Sequence, residues 1–176
     1  MNRKDLLKYL AGYILGGSFF LLLIPALIYS ASYLSGLIFP CSIFNDDRIR
    51  TATALFLLLP GAVFMVWSNT SLFLTGKGGP TQGFGIEISP KTKVLVTKGP
   101  YRYTRNPMVF GAYSIYIALA FYLNSYTSLI LVLLFLPVIV IYLKKSEEKR
   151  LLEDFSEAYL KYRDSVSLLI PFPPKK

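Results

Sequence analysis

Two uninterrupted stretches without a charged residue, Leu10 to Phe39 and Thr51 to Leu74, constrain this chain more than any other feature. Each exceeds the roughly 20 residues that an α-helix needs to cross bilayer hydrocarbon. In lipid a helix satisfies its own backbone polar groups, whereas in water these segments would expose apolar surface on every side. A water-soluble fold does not fit, and the 53% of residues that are apolar lie in long runs rather than at amphipathic spacing. Two further runs, Met108 to Leu123 and Tyr126 to Leu143, are shorter and separated only by Asn124 and Ser125. That spacing predicts a tight helical hairpin returning to the side it entered from. The expected fold is therefore all-α: a single polytopic membrane domain over 1–176 with about four transmembrane helices, a hairpin for the last two, and a C-terminal cytoplasmic helix. The first run is longer than one crossing requires and carries Gly16, Gly17 and Pro25. It is open between one kinked helix and a helix followed by a re-entrant segment.

Charge orients these helices. The formal net charge is +9, but the basic residues flank apolar spans, where the positive-inside rule accounts for them without a nucleic acid. Lys77, Lys91, Lys93, Lys98, Arg102 and Arg105 crowd the central loop against one acid, Glu87, which places that loop in the cytoplasm. Arg3, Lys4 and Lys8 at the N-terminus, and Lys144 and Lys145 after the last run, fall on the same side only if the number of crossings is even. The Asp46 to Arg50 connection is then external. An n-region of a cleaved signal peptide is the competing reading of the N-terminus, but the apolar stretch exceeds a typical h-region, so retention is expected. The single Cys41 permits no internal disulfide.

Gly76 to Gly85 is Gly-rich and contains Pro80; it lacks the strand-to-helix setting of a dinucleotide fingerprint and is expected to be a flexible loop. Lys93 to Thr97 is short and β-branched, an extended segment feeding a turn at Lys98-Gly99-Pro100. Pro107 suits the first turn of the third membrane helix, with Asn106 as its N-cap. In the tail, Leu151, Leu152, Phe155, Ala158, Tyr159 and Tyr162 recur at three- and four-residue steps among charges, which predicts an amphipathic helix continuing the fourth membrane helix. The last segment, Ile170-Pro171-Phe172-Pro173-Pro174, cannot be helical and is expected to pack back on the domain or the membrane.

Two clusters have residues suited to chemistry: GPYRYTRNPMVFG from Gly99 to Gly111, and the Glu147-Glu148 pair that heads the tail helix. Interface arginines and tyrosines commonly anchor to lipid headgroups, and a glutamate pair among lysines commonly heads a solvated helix. The hairpin adds convergence, because its entrance at Arg105 to Met108 and its exit at Leu143 to Glu148 must be neighbours. Helical spacing alone leaves open which glutamate points inward.

LVTKGPYRYTRNPM, followed by a hairpin, a Glu-Glu pair, Leu151-Leu152-Glu153-Asp154-Phe155 leading to Tyr159, and a terminal Ile-Pro-Phe, resembles the isoprenylcysteine carboxyl methyltransferase and phospholipid methyltransferase superfamily over roughly Lys91 to Phe172. The resemblance implies a membrane methyltransferase using S-adenosylmethionine, with the cofactor enclosed by the last two membrane helices, the loop at 75–107 and the tail at 144–176. It implies cofactor contacts at Leu95, Val96, Gly99, Tyr101, Asn106, Pro107, Met108 and Glu147, with Arg105 and Glu148 as the catalytic candidates; no metal is expected. The residue types suit that ligand: an acid for its ammonium, a guanidinium for its carboxylate, and tyrosine faces for its sulfonium. Glu147 and Arg105 are candidates for the first two tasks. The chain has no histidine to take a proton from an acceptor, which leaves Glu148 or a tyrosine.

The sequence departs from the superfamily pattern in carrying Asn106 where histidine is frequent, Val109 where an aromatic is usual, and Leu143 where prenylcysteine-specific members have an arginine. The implied acceptor is a lipophilic or membrane-associated molecule: a prenylcysteine carboxylate, a phospholipid amine, or a small thiol or phenol. An NADPH-dependent sterol-type membrane reductase and a non-catalytic membrane scaffold are the competing classes, and cofactor binding discriminates among the three.

Overall fold

The structure, a computed structural model, describes residues 3–77, 82–83, 86–87 and 92–174. Helix α1 (Arg3–Ser18) passes through a π-helical turn at Phe19–Leu23 into α2 (Ile24–Ile38), so the first apolar run is one continuous helix without a re-entrant segment. A connection leads to α3 (Asp47–Ser71), extended by a second π turn at Leu72–Gly76; α4 (Pro107–Tyr122) and α5 (Tyr126–Tyr142) form the hairpin. A third π turn, Leu143–Glu147, carries α5 into α6 (Glu148–Ser165). Most of the Gly76 to Gly85 stretch lies outside the described residues; a two-residue antiparallel pair, β1 (Gln82–Gly83) with β2 (Ile86–Glu87), is described there.

Among the described residues three helices are long and apolar enough to cross a membrane, at Leu10–Ile38, Asp47–Gly76 and within Tyr126–Ser165, and Pro107–Tyr122 is a shorter apolar helix. Only 11%, 11% and 17% of their most apolar windows are buried inside the chain, so the remaining apolar surface is presented outward and suits hydrocarbon. The protein is an integral membrane protein. Helix α4 differs: with 16 residues it spans about 24 Å, and its buried residues lie on two opposite faces, Gly111, Ser114 and Ala118 on one and Ala112, Tyr116 and Ala120 on the other. It is the central helix, enclosed by its neighbours. Against α3 the approach is closest at two glycines: a Cβ on Gly111 would lie 2.8 Å from the Gly61 carbonyl oxygen and 2.9 Å from the Met65 nitrogen. Packing of small residues replaces the hydrophobic drive that lipid removes. On the other side of α4, Ala112 and Tyr116 form a buried cluster with Ile28 and Val132.

Backbone groups freed by helix irregularities find partners. Pro25 has no N–H, and its ring crowds the preceding turn. In the widened turn the Ile24 N–H donates to Phe19 O, which leaves the Phe20 carbonyl without either of its helical donors. The Tyr116 hydroxyl donates to that carbonyl at 2.9 Å. Similarly, Ser128 Oγ donates to Ile28 O at 2.8 Å and ties α5 to α2.

The hairpin turns on Asn124, which adopts φ 55, and the Ser125 side chain caps α5 by accepting from the Ser128 N–H. The Asn124 side chain accepts from the Phe44 N–H at 2.8 Å and donates to Phe44 O at 2.9 Å. The connection between α2 and α3 therefore lies against the hairpin tip, both at one end of the bundle. The 92–106 loop and the tail are at the other end.

The tail helix continues α5 as expected, but it is not smooth. Ser156 has φ 46 and ψ −121, and the helix breaks there. Leu151, Phe155, Tyr159 and Tyr162 pack inward with Val166 and Leu95, whereas Leu152 and Ala158, expected on the same face, point outward. The inward residues from Leu151 to Val166 keep four- and three-residue steps, and Leu152 and Ala158 fall beside that stripe.

Candidate functional site

At the loop end of the bundle, Lys98 is extended and Gly99 takes φ 64, a left-handed conformation that glycine adopts without steric cost. The turn presses on α3: a Cβ at Gly99 would meet Ser71 Oγ at 3.1 Å and Trp67 Nε1 at 3.2 Å. A 3-10 turn, Gly99–Arg102, follows and buries Pro100 and Tyr101. Upstream, 92–98 is irregular rather than a strand. It is held by the Lys93 N–H donating to Gly76 O, by buried Val96, and by Leu95 against the tail tyrosines.

The Arg105-Asn106-Pro107 corner opens α4. Pro107 occupies the first helical turn and Asn106 the N-cap position, as expected, yet the Asn106 side chain makes no capping hydrogen bond. Its Nδ2 donates instead to Leu168 O at 2.9 Å, while Thr104 Oγ1 accepts the Asn106 N–H at 3.3 Å and donates to Leu168 O at 3.2 Å. The extended chain after α6 is a strap across the corner. The Arg105 N–H donates to Ser167 O and the Phe172 N–H to Tyr103 O, each at 2.9 Å. The terminal segment thus packs back on the domain, and Tyr162 secures the same loop by donating its hydroxyl to Tyr101 O at 2.6 Å.

Hairpin entrance and exit do meet. Arg105 Nη1 donates to Glu148 Oε1 at 2.6 Å, with the two side chains only 11% and 16% exposed. The same nitrogen lies 3.4 Å from the Tyr159 hydroxyl, and Tyr159 is 1% exposed. Arg105 Nε is buried without a hydrogen-bond partner among the described residues. Glu147 pairs with Arg150 at 2.7 Å, and its carboxylate is close enough to Tyr101 to act on that hydroxyl. Both glutamates are therefore near the loop. Glu148 engages Arg105, and the charge of Glu147 adds to the upward shift of the Tyr101 hydroxyl.

Burial holds the three tyrosines in their neutral form. For Tyr101 it pushes the hydroxyl far above the usual phenol value, with Tyr162 and the Glu147 carboxylate adding to the effect. Tyr162 is also raised by burial, against the opposing pull of the Arg105 guanidinium. Tyr159 is raised by burial and partly restored by its hydrogen bond with Arg105. None is suited to act as a phenolate base at neutral pH; they offer ring faces and hydroxyl donors.

Of the ten residues anticipated at the site, Arg105 and Glu148 are joined directly, and Glu147 and Tyr101 are electrostatic neighbours. Leu95, Val96 and Gly99 build the loop beneath the tail, and Asn106 and Pro107 form the corner. Met108 follows half-buried in the first turn of α4. Sequence reasoning missed the strap residues Ser167 and Leu168, whose contribution is through backbone carbonyls. It also missed Trp67 and Ser71 on α3. An aromatic at the loop end of an apolar run was the available signal for Trp67.

Comparison with protein families matches the phospholipid methyltransferase model to residues 49–158. The match takes in α3, in which no signature was read, along with α4, α5 and the first half of α6. No curated protein and no solved structure matches the chain. The matched span covers more than half of the sequence and contains both the Arg-Asn-Pro corner and the Glu-Glu pair, and the chain belongs to the phospholipid methyltransferase family, within the isoprenylcysteine and phospholipid methyltransferase superfamily.

Proposed function

We propose that this membrane methyltransferase uses S-adenosylmethionine, held between the 95–108 loop and the start of α6 on the cytoplasmic side, and methylates a lipophilic acceptor. One observation carries the reading: inside the family-matched span a buried guanidinium, its Nε unpartnered among the described residues, is fixed by Glu148, with Glu147 the preceding residue of the chain. The residues fit the cofactor's amino-acid end. Arg105 offers its free donor to a carboxylate, Glu147 offers a carboxylate to an ammonium, and the faces of Tyr101 and Trp67 are available to a sulfonium. When bound, the cofactor supplies a sulfonium-borne methyl group that an acceptor's lone pair can displace.

The chain's own contribution is placement and exclusion of water. Glu148 and Tyr159 hold the Arg105 guanidinium in one orientation, and the strap closes the corner from the tail side, so reactants would be aligned in a site of low water content. An amine or thiol acceptor must also lose a proton. With the tyrosines held neutral, Glu148 is the residue for that role: Arg105 occupies its Oε1, and Oε2 remains to accept. A prenylcysteine carboxylate would need no base.

The test is cofactor affinity by calorimetry on folded protein in detergent or nanodiscs. Arg105→Ala and Glu147→Ala each remove a charge-assisted contact of roughly 1.5–3 kcal/mol, so binding should weaken about ten- to a hundredfold. Lys161→Ala, on the exposed side of α6, should bind as the parent does. Equal affinities across the three variants would sink the assignment, and no binding by the parent would favour the scaffold reading.

A further inference from the structure

Ser156 interrupts α6 at φ 46 and ψ −121, a region of backbone space that glycine enters freely and other residues enter at a cost. Such strain persists only where the surroundings hold it. The Ser156 side chain is exposed, so what holds the conformation lies on either side of it. Before the break, the ion pairs Glu147–Arg150 and Arg150–Asp154 brace a helix that continues directly from α5. After the break, the hydrogen bonds that 157–174 makes to the rest of the described residues all end between Tyr101 and Asn106. Tyr159, Tyr162, Ser167, Leu168 and Phe172 each bond there, and the apolar contacts of the same segment are with Leu95, Leu151 and Phe155. The segment is thus fastened to one short stretch of loop and joined to its helix through one strained residue.

This clasp shuts in the donor that the proposed cofactor has to reach. Arg105 Nε is buried without a partner among the described residues, and the side chain is only 11% exposed. Of the groups around it, Glu148 stands before the break, on the helix anchored by α5, while Tyr159 and Ser167 stand after it. Resting on the methyltransferase reading, we propose that the tail beyond Ser156 is a hinged cover, which lifts as one unit to admit S-adenosylmethionine and docks again over it. Lifting relaxes the strain at Ser156, which offsets part of the bonding lost. Glu148 keeps hold of Arg105 throughout, so the guanidinium is already oriented when its Nε is bared. The Leu168 carbonyl is the latch, since it accepts from both Thr104 Oγ1 and Asn106 Nδ2.

Opening is measured first without ligand, by hydrogen exchange of the full-length protein in nanodiscs. The amides of Arg105 and Phe172, both bonded across the clasp, should exchange together and faster than those in the middle of α4. Ser156→Gly accepts the docked backbone without strain, so it should slow both about tenfold. Ser156→Ala, which keeps the strain, should leave them within about twofold of the parent. Exchange no faster than in α4, or exchange that Ser156→Gly leaves unchanged, overturns the proposal. Association and dissociation of S-adenosylmethionine are then followed by stopped flow through the single tryptophan, Trp67, whose Nε1 lies beside Gly99. Ser156→Gly should slow both rates about tenfold and leave the affinity nearly unchanged, because a cover gates entry and exit alike. An association rate that stays at the parent value while exchange slows would overturn the gate. Exchange as expected without any cofactor binding by the parent would keep the hinged tail and remove the methyltransferase reading.

Discussion

Asn106 shows how a residue can hold the expected position and perform a different task there. Asparagine at the mouth of a helix ordinarily caps by accepting from backbone N–H groups; here Thr104 serves its backbone, and its amide nitrogen is turned to the Leu168 carbonyl. The strap therefore reads a donor at this position. Asn106→Ala should cost about 1–2 kcal/mol through the lost hydrogen bond and an unsatisfied carbonyl. Asn106→Asp should cost more, since an acceptor-only carboxylate would face that oxygen. Chemical or thermal unfolding in detergent checks the order, and an aspartate variant as stable as the parent would show that the strap contact contributes little. That the Arg105 corner and the glutamate pair would meet was legible in the sequence. Which glutamate meets Arg105 was not, because the extra residue in the π turn at Leu143–Glu147 rotates everything after it.

Among the elements, the crossing of α3 and α4 positions the candidate site, since Trp67 and Ser71 of α3 lie against the Gly99 turn and α4 begins at the Arg-Asn-Pro corner. Its separation is set by Gly61 and Gly111, whose absent side chains let the two backbones touch. Gly111→Val should destabilise the protein by about 1–3 kcal/mol through overpacking and should weaken cofactor binding as the Gly99 turn loses its floor. Gly17, where an added Cβ would meet nothing within 4 Å, provides the contrast: Gly17→Ala should stabilise α1 by about 0.5–1 kcal/mol. Thermal shifts of the two variants in the same direction would contradict this account of the packing. The existence of all the membrane helices was readable from apolar run length. That α4 is the enclosed one was not, because its composition is apolar all round, like that of a lipid-facing helix.

For the whole molecule, the Asn124–Phe44 pairing puts the α2–α3 connection and the hairpin tip at one end of the bundle and the candidate site at the other. Combined with the positive-inside rule, this predicts that exposed Cys41 faces away from the cytoplasm. In intact cells a membrane-impermeant maleimide should label Cys41 directly. A cysteine placed at Ser165 in a Cys41→Ser background should react only after permeabilisation. The reverse pattern would invert the orientation, and labelling of both positions from one face would break the even-crossing topology.

Run length and flanking charge are properties of the linear chain, so the sequence by itself determined that this protein lives in a membrane, that its last two spans form a hairpin, and that corner and acidic pair share one end. Helix phase and chain reversal are not linear properties. Only the tertiary structure decided that Glu148 engages Arg105, that Ser167 and Leu168 clasp the corner through backbone carbonyls, and that Trp67 of α3 lies against the Gly99 turn. The first two depend on how far a helix has been rotated by a π turn or a break before it meets its neighbour, and the third on where the returning loop meets α3; residue spacing carries no record of either.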